Sequence, residues 1–469
     1  MRPASSVEIQ PSSSTPLLPD FSVVRPRDRA LASNALWNFL STAAPLLAAL
    51  FAVPFLIGRL GVESYGLLTL LWTVVGYFAL LDMGVGRALT QFVARSESNR
   101  HQTNSAVQSS LLLLLFLGAA GALVLYVTSL PVARLIAPAN RVGEVTTSFR
   151  LLAVSLPFIT VSSGARGILE AQQRFGVIAA IRTPFTLLTY VGPAAVVLFN
   201  QNLVPIAAVL AATRIVGAVA IIYTADVTIV PLRDSFVVSA GILRFAGWTS
   251  LSNLVTPALI YCDRFLVSAI VSTTAVALYA TPYEVISRLL LIPGALAGVL
   301  FPVFASNHTT DNRQAIQLLN RGLTAAIFLL FPITFAAILF AEVGFRRWLG
   351  PGFAGDSVTV ARWLAIGVFI NGVAYVPSAL LQGIGRPDIG AKLGLIELPL
   401  HLTALIVLIR MYGLPGAAIA STLRVGVDCF LHFFFVARQI PAGAKAMLRP
   451  VGAVVLATAV LIALVNRGV

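Results

Sequence analysis

Charge is scarce in this sequence. Only 11% of its 469 residues are Asp, Glu, Lys or Arg, against about 25% in soluble domains, which excludes an ordinary water-soluble enzyme. Lysine is nearly missing, since Lys392 and Lys445 are the only two among 32 basic residues. The two cysteines, Cys262 and Cys429, sit in apolar segments without metal-type spacing, so neither a disulfide framework nor a zinc site is expected. The four histidines, His101, His308, His401 and His432, are scattered. HExxH, Asp-x-Asp, GxSxG and Walker A patterns are all absent, which excludes the hydrolases and ATP-driven machines they mark; GVGRAL at Gly84 lacks the third glycine of a dinucleotide loop. No cofactor or metal is expected, and the chain does not read as an enzyme.

Apolar residues fill the space that charge leaves. Hydrophobic residues make up 58% of the chain and mean hydropathy is +0.90. A helix needs roughly 20 apolar residues to cross a bilayer core of about 30 Å, so this length accommodates a dozen or so crossings. Apolar runs bounded by charge, Gly or Pro predict thirteen spans: 33–58, 65–88, 108–130, 151–170, 177–199, 203–224, 243–271, 276–304, 320–343, 358–383, 391–411, 412–437 and 449–466. The longest expected loops, around 131–150, 225–242 and 342–357, are too short for a catalytic domain. Trp37, Trp248, Trp348 and Trp363 fall near span ends, where interfacial anchoring is the expectation. The Ser- and Pro-rich start reads as a disordered cytoplasmic tail over 1–30. With that tail inside, eighteen basic residues fall on the cytoplasmic side and nine on the other, the bias expected of a cytoplasmic N-terminus. The net charge of +14 is then mostly topology, and no nucleic-acid partner is implied.

The chain repeats itself at an offset of about 210 residues. WNFLS at Trp37 matches WTSLS at Trp248; SAVQ ending at Gln108 matches QAIQ ending at Gln317; ILEAQQR ending at Arg174 matches LLQGIGR ending at Arg386; Val204–Arg214 matches Leu414–Arg424. Four matches in order and at near-constant spacing indicate duplication. Six helices per repeat is an even number, so both copies share one orientation and a pseudo-two-fold axis runs along the membrane normal. The expected fold is all-α integral membrane: two parallel six-helix lobes, an N-lobe at 31–225 and a C-lobe at 243–438, joined by a cytoplasmic linker at 226–242, with an extra helix at 439–469.

Five acids and five arginines remain inside the predicted spans: Asp82, Asp263, Glu284, Glu397 and Asp428 against Arg87, Arg214, Arg264, Arg288 and Arg424. Each costs on the order of 3 kcal/mol at the bilayer centre on insertion scales, so they should face the bundle interior and pair. Glu284 and Arg288 are four apart, as are Glu397 and His401, and Arg424, Asp428 and His432 form a line at the same spacing. Register-fixing ion pairs are the bland alternative to a functional role there. Asp263 and Arg264 are adjacent and about 100° apart on their helix, so they cannot neutralise each other and need partners elsewhere. A shared cluster of Asp263, Arg264, Glu284 and Arg288 is the primary site candidate; Arg214, Arg424, Asp428, Glu397 and Asp82 are secondary.

The sequence resembles the oligosaccharide and polysaccharide flippases of the multidrug/oligosaccharidyl-lipid/polysaccharide exporter superfamily. The likeness lies in LGVESYGLL at Leu60 leading to LLDMGVGRALTQFVA at Leu80, YCDRFLVSAIV at Tyr261 with ALYATPYEVISRLL at Ala277, LLQGIGRPDIGAK at Leu380, and GLPGAAIASTL at Gly413. The resemblance implies a multi-pass protein of the bacterial inner membrane, moving a polyprenyl-diphosphate-linked glycan across the bilayer by alternating access for surface polysaccharide assembly. It also implies Arg264 and Arg288 as cleft arginines. Membrane lipids, a coupling ion (H+ or Na+) and a polysaccharide polymerase or assembly machinery are the further partners of that reading. A cation-coupled multidrug exporter on the same fold is the alternative, with Asp263 or Glu284 holding the cation.

Overall fold

Helices account for nearly all of what a computed structural model describes, which is residues 26–78, 85, 89, 100–172, 174–225, 259, 261–307, 312–386, 388–440 and 444–466. Residues 1–25 of the expected tail, the linker 226–242, Asp82 and Arg87 lie outside them. Eleven segments among the described residues are long and apolar enough to cross a membrane. The first, within α1 (Pro26–Phe78), carries two of the predicted spans: Gly61 at φ +78° interrupts the helix and redirects the chain, a conformation glycine adopts without steric cost. The rest of the N-lobe is α2 (Arg100–Ile136), α3 (Val142–Ala171), α4 (Phe175–Val197) and α5 (Leu203–Thr224). The C-lobe comprises α6 (261–270), α7 (Thr273–Ser287), α8 (Leu291–Asn307), α9 (Asn312–Leu349), α10 (Ala354–Gly383), α11 (Asp388–Tyr412) and α12 (Leu414–Gln439), followed by α13 (Ala444–Asn466).

The duplication extends to element boundaries and their capping bonds. Arg100 and Asn312, which open α2 and α9, are 212 residues apart, as are Val142 and Ala354, which open α3 and α10. Both repeats place a 3-10 turn just before the second of these helices, at Ala139–Arg141 and Pro351–Phe353. At the far ends, the Arg174 amide donates to Leu169 O and the Arg386 amide to Leu381 O, each 2.9 Å. Packing repeats likewise, because α2 on α3, α3 on α5 and α4 on α5 have counterparts in α9 on α10, α10 on α12 and α11 on α12. α10 is the most enclosed span, and α13 packs on α9 and α10 through buried Met447, Val454 and Leu461.

One expectation needs correction and two gain detail. The loops foreseen at 131–150 and 342–357 are largely helix, since α2 runs on to Ile136 through Pro131 and α9 to Leu349. Their links shrink to 137–141 and 350–353, so Arg150, just outside the span foreseen at 151–170, lies well within α3, as Arg362 does within α10. Arg362 is buried and points its Nε at Ile338 O, 3.4 Å away. Second, the span foreseen at 276–304 is found as one membrane-length segment, Thr273–Phe301, and carries a 3-10 turn at Arg288–Leu290. Pro293, which follows, offers no N–H to Leu289 O and crowds it. Third, Trp348 is more than an anchor. Its Nε1 donates to Leu50 O, 2.8 Å away, from the C-lobe to the N-lobe.

Two contacts that join the lobes lie near Gly61 and the turns at 137–141 and 271–272. The second arm of α1 packs on α7 so closely at Gly66 that a Cβ there would sit 1.9 Å from Thr273 O. Beside it, Ser268 Oγ of α6 donates to Ile136 O of α2 at 2.8 Å.

Candidate functional site

Between the lobes lies a cavity of about 450 Å³, lined by both arms of α1 and by α4, α5, α6, α7 and Trp348 of α9. Arg264 is its electrostatic centre. The guanidinium is nearly sealed from solvent, at 4% exposure. Its Nη1 donates to Thr73 Oγ1 across the lobe interface at 2.9 Å, and its Nη2 to Glu284 Oε1 at 2.6 Å. Tyr261 and Tyr283 rings lie 5.5 Å from its charge, a cation–π cradle. Its Nε is buried without a hydrogen-bond partner among the described residues.

Glu284 is shared. Its second oxygen accepts from Arg288 Nη2 at 3.3 Å, so one carboxylate serves two arginines. Arg214 reaches the same cavity from α5 with no ion pair among the described residues and a buried, unpartnered Nε. The cavity therefore holds three guanidiniums and one carboxylate, a net positive space. Its polar lining is interleaved with aromatic rings: Trp72 packs edge-on against Tyr65 and Tyr190, at 6.2 and 5.4 Å between centroids. Trp72 Nε1 is buried and unpartnered among the described residues. No motif marks these rings in the sequence; the indole of Trp72 inside the span foreseen at 65–88, away from its ends, was the available signal.

Asp263 does not join this cluster. The 100° between neighbours turns it into the C-lobe, where Tyr279 Oη donates to Oδ2 at 2.5 Å, Ser421 Oγ also donates to Oδ2, and His401 Nε2 lies 2.8 Å from Oδ1. Cys262 Sγ is 3.5 Å from the same oxygen. Cys262, Asp263 and His401 thus bring three potential ligand atoms within 4.8 Å of one another, which residues 138 positions apart cannot signal by spacing. Three of the secondary candidates, Glu397, Arg424 and Asp428, form an adjoining network with His432. Glu397 bonds Arg424 (3.6 Å) and faces Asp428, which bonds His432 at 3.2 Å. Glu397 and His401, foreseen as partners, point to different groups. Asp428 and His432 also line a second cavity of about 460 Å³ between α8, α10 and α12. Cation-binding chemistry is thus concentrated in the C-lobe and anion-binding chemistry at the lobe interface.

Comparison with known proteins gives a consistent picture. A family described as "Polysaccharide biosynthesis protein" matches residues 56–355. The putative O-antigen transporter of Shigella flexneri is 27% identical over 405 residues, covering 86% of this chain and 96% of that protein. The probable flippase AglR of Haloferax volcanii is 25% identical over 236 residues, half of this chain and 48% of that one. Among solved structures, an inward-facing multidrug resistance MATE family transporter of the MOP superfamily superposes with TM-score 0.73 at 19% identity, over 87% of this chain and 99% of that one. The lipid II flippase MurJ in an inward closed conformation gives 0.68 at 14%, over 93% and 99%. These structures share the two-lobe helical fold.

Proposed function

The chain belongs to the polysaccharide biosynthesis protein family, and from that premise we propose that it is a flippase for a lipid-linked oligosaccharide. The observation that carries the reading is the inter-lobe cavity that holds three arginines against one carboxylate, Glu284, which pairs with Arg264 and Arg288 only. A diphosphate and a glycan cannot enter hydrocarbon without replacing their hydration, and guanidiniums supply planar, charge-assisted donors to phosphate oxygens. Aromatic faces such as those of Trp72 and Tyr65 suit sugar rings, while the lipid tail remains in the bilayer.

In this reading the diphosphate competes with Glu284 for Arg264 and Arg288. Withdrawing Arg264 from Thr73 loosens a bond that crosses the lobes, which links substrate binding to lobe separation and so to alternating access. The substrate is a polyprenyl-diphosphate-linked glycan, the membrane the bacterial inner membrane, and the N-terminus cytoplasmic, so that the end bearing Gly61 faces outward. The coupling cation, H+ or Na+, is held by the C-lobe carboxylates around Asp263. Delivery to a polymerase or assembly complex completes the path to surface polysaccharide.

The test is complementation of a deletion strain. Arg264→Ala with Arg288→Ala should abolish surface glycan at normal protein level, and Arg264→Lys should fail nearly as badly because it lacks the fork. Unchanged glycan would overturn the site. Drug hypersensitivity of the deletion strain with intact glycan would favour the multidrug-exporter alternative instead.

A further inference from the structure

A third, smaller cavity opens within the N-lobe between α3, α4 and α5, with a volume of about 180 Å³. Three arginines line it: Arg166 from α3, Arg182 from α4 and Arg214 from α5. Arg214 and Thr189 line the central cavity as well, so the two spaces meet there.

The placement is graded in depth. Arg166 lies five residues before the end of α3 and Arg182 seven after the start of α4, each within about 10 Å of the same end of the bundle at 1.5 Å per residue. Arg214 sits midway along α5. Arg182 is exposed and marks the mouth, Arg166 is half-buried, and Arg214 ends in a buried Nε with no partner among the described residues. The acidic group paired with this series is Glu170, 3.5 Å from Arg166 and also facing Arg182. An unpaired guanidinium inside a membrane span is costly, and a self-neutralised helix pair would not leave Arg214 open between two cavities.

We propose that this cavity is a binding site for the phosphate groups of a lipid headgroup, a loading station from which the headgroup passes by Arg214 to Arg264 and Arg288. At 180 Å³ against 450 Å³ it is sized for the headgroup rather than the glycan. The proposal rests on the flippase reading, and the experiment separates the two. Full-length protein in phosphatidylcholine nanodiscs is titrated with polyprenyl diphosphate, phosphatidylglycerol and inorganic pyrophosphate, with binding read by native mass spectrometry.

Arg182→Gln, whose side chain is exposed, and Arg166→Gln/Arg182→Gln should weaken polyprenyl diphosphate binding, the double variant by about tenfold or more given the strength of charge-assisted bonds to phosphate, with an unchanged melting temperature. Arg166→Lys/Arg182→Lys should recover part of the loss, which separates charge from folding. If Arg264→Gln weakens binding while the Arg166 and Arg182 variants bind like wild type, the loading station is overturned and the flippase reading stands. Phosphatidylglycerol or free pyrophosphate binding as tightly, and lost in the same variants, would also overturn it, as a general anionic-lipid or free-anion site. If the wild type binds no polyprenyl diphosphate, the flippase reading falls and this proposal with it.

Discussion

Asp263 and Arg264 show how much one residue's rotation decides. Neighbours in sequence, they serve opposite sides of the same helix: the arginine completes the inter-lobe cavity and the acid closes a C-lobe network with His401, Tyr279 and Ser421. Both are almost wholly buried. Removing one partner from a buried, hydrogen-bonded charge cluster leaves the others uncompensated, at a cost of about 3–5 kcal/mol. Asp263→Ala should therefore lower the melting temperature of the detergent-solubilised protein clearly, whereas Arg288→Ala, at a half-exposed position, should leave it nearly unchanged. Equal melting for both variants would contradict the buried network. The Glu284–Arg288 pair was legible because four residues make one helical turn. The link from Asp263 to His401 was not, because it depends on how α6 packs against α11.

At the scale of elements, packing and local chemistry agree closely. Asn202 caps α5 by accepting from the Val204 amide, and Ser272 caps α7 by accepting from Ala275, the roles these residue types fill best. The seam between the second arm of α1 and α7 depends on a residue with no side chain. Gly66→Leu places its Cβ against Thr273 O, and backbone on the facing helix cannot yield as a side-chain tip does. We expect the variant to reach the membrane but fail to seal this end, so that surface glycan is lost while limited proteolysis shows a folded protein. Wild-type glycan levels would show that the seam tolerates separation. The overrun of α2 and α9 past their foreseen ends follows from residues that are mostly apolar on either side of Arg134 and of Arg346 and Arg347, so the helices continue through these arginines to short 3-10 links.

For the whole molecule, the two repeats have diverged electrostatically while keeping their geometry. Arg150 and Arg362 occupy equivalent positions 212 residues apart, yet the N-lobe cavity is lined by arginines and the C-lobe cavity by Asp428 and His432. The two lobes thus present unlike cavities, and the Arg264–Thr73 hydrogen bond joins them. Polyprenyl diphosphate should accordingly raise amide hydrogen exchange along residues 66–74 and 264–275, where the lobes meet, and protection there instead would contradict coupling through that bond. The sequence by itself determined the membrane class, the duplication and the inventory of buried charges, because hydropathy, period and cost in hydrocarbon are local properties of a chain. Only the tertiary structure decided which charges share a cavity. That choice turns on helix rotation and on which helices touch, and a spacing of 20 residues between Arg264 and Glu284 or 138 between Asp263 and His401 becomes a bond only when the lobes assemble.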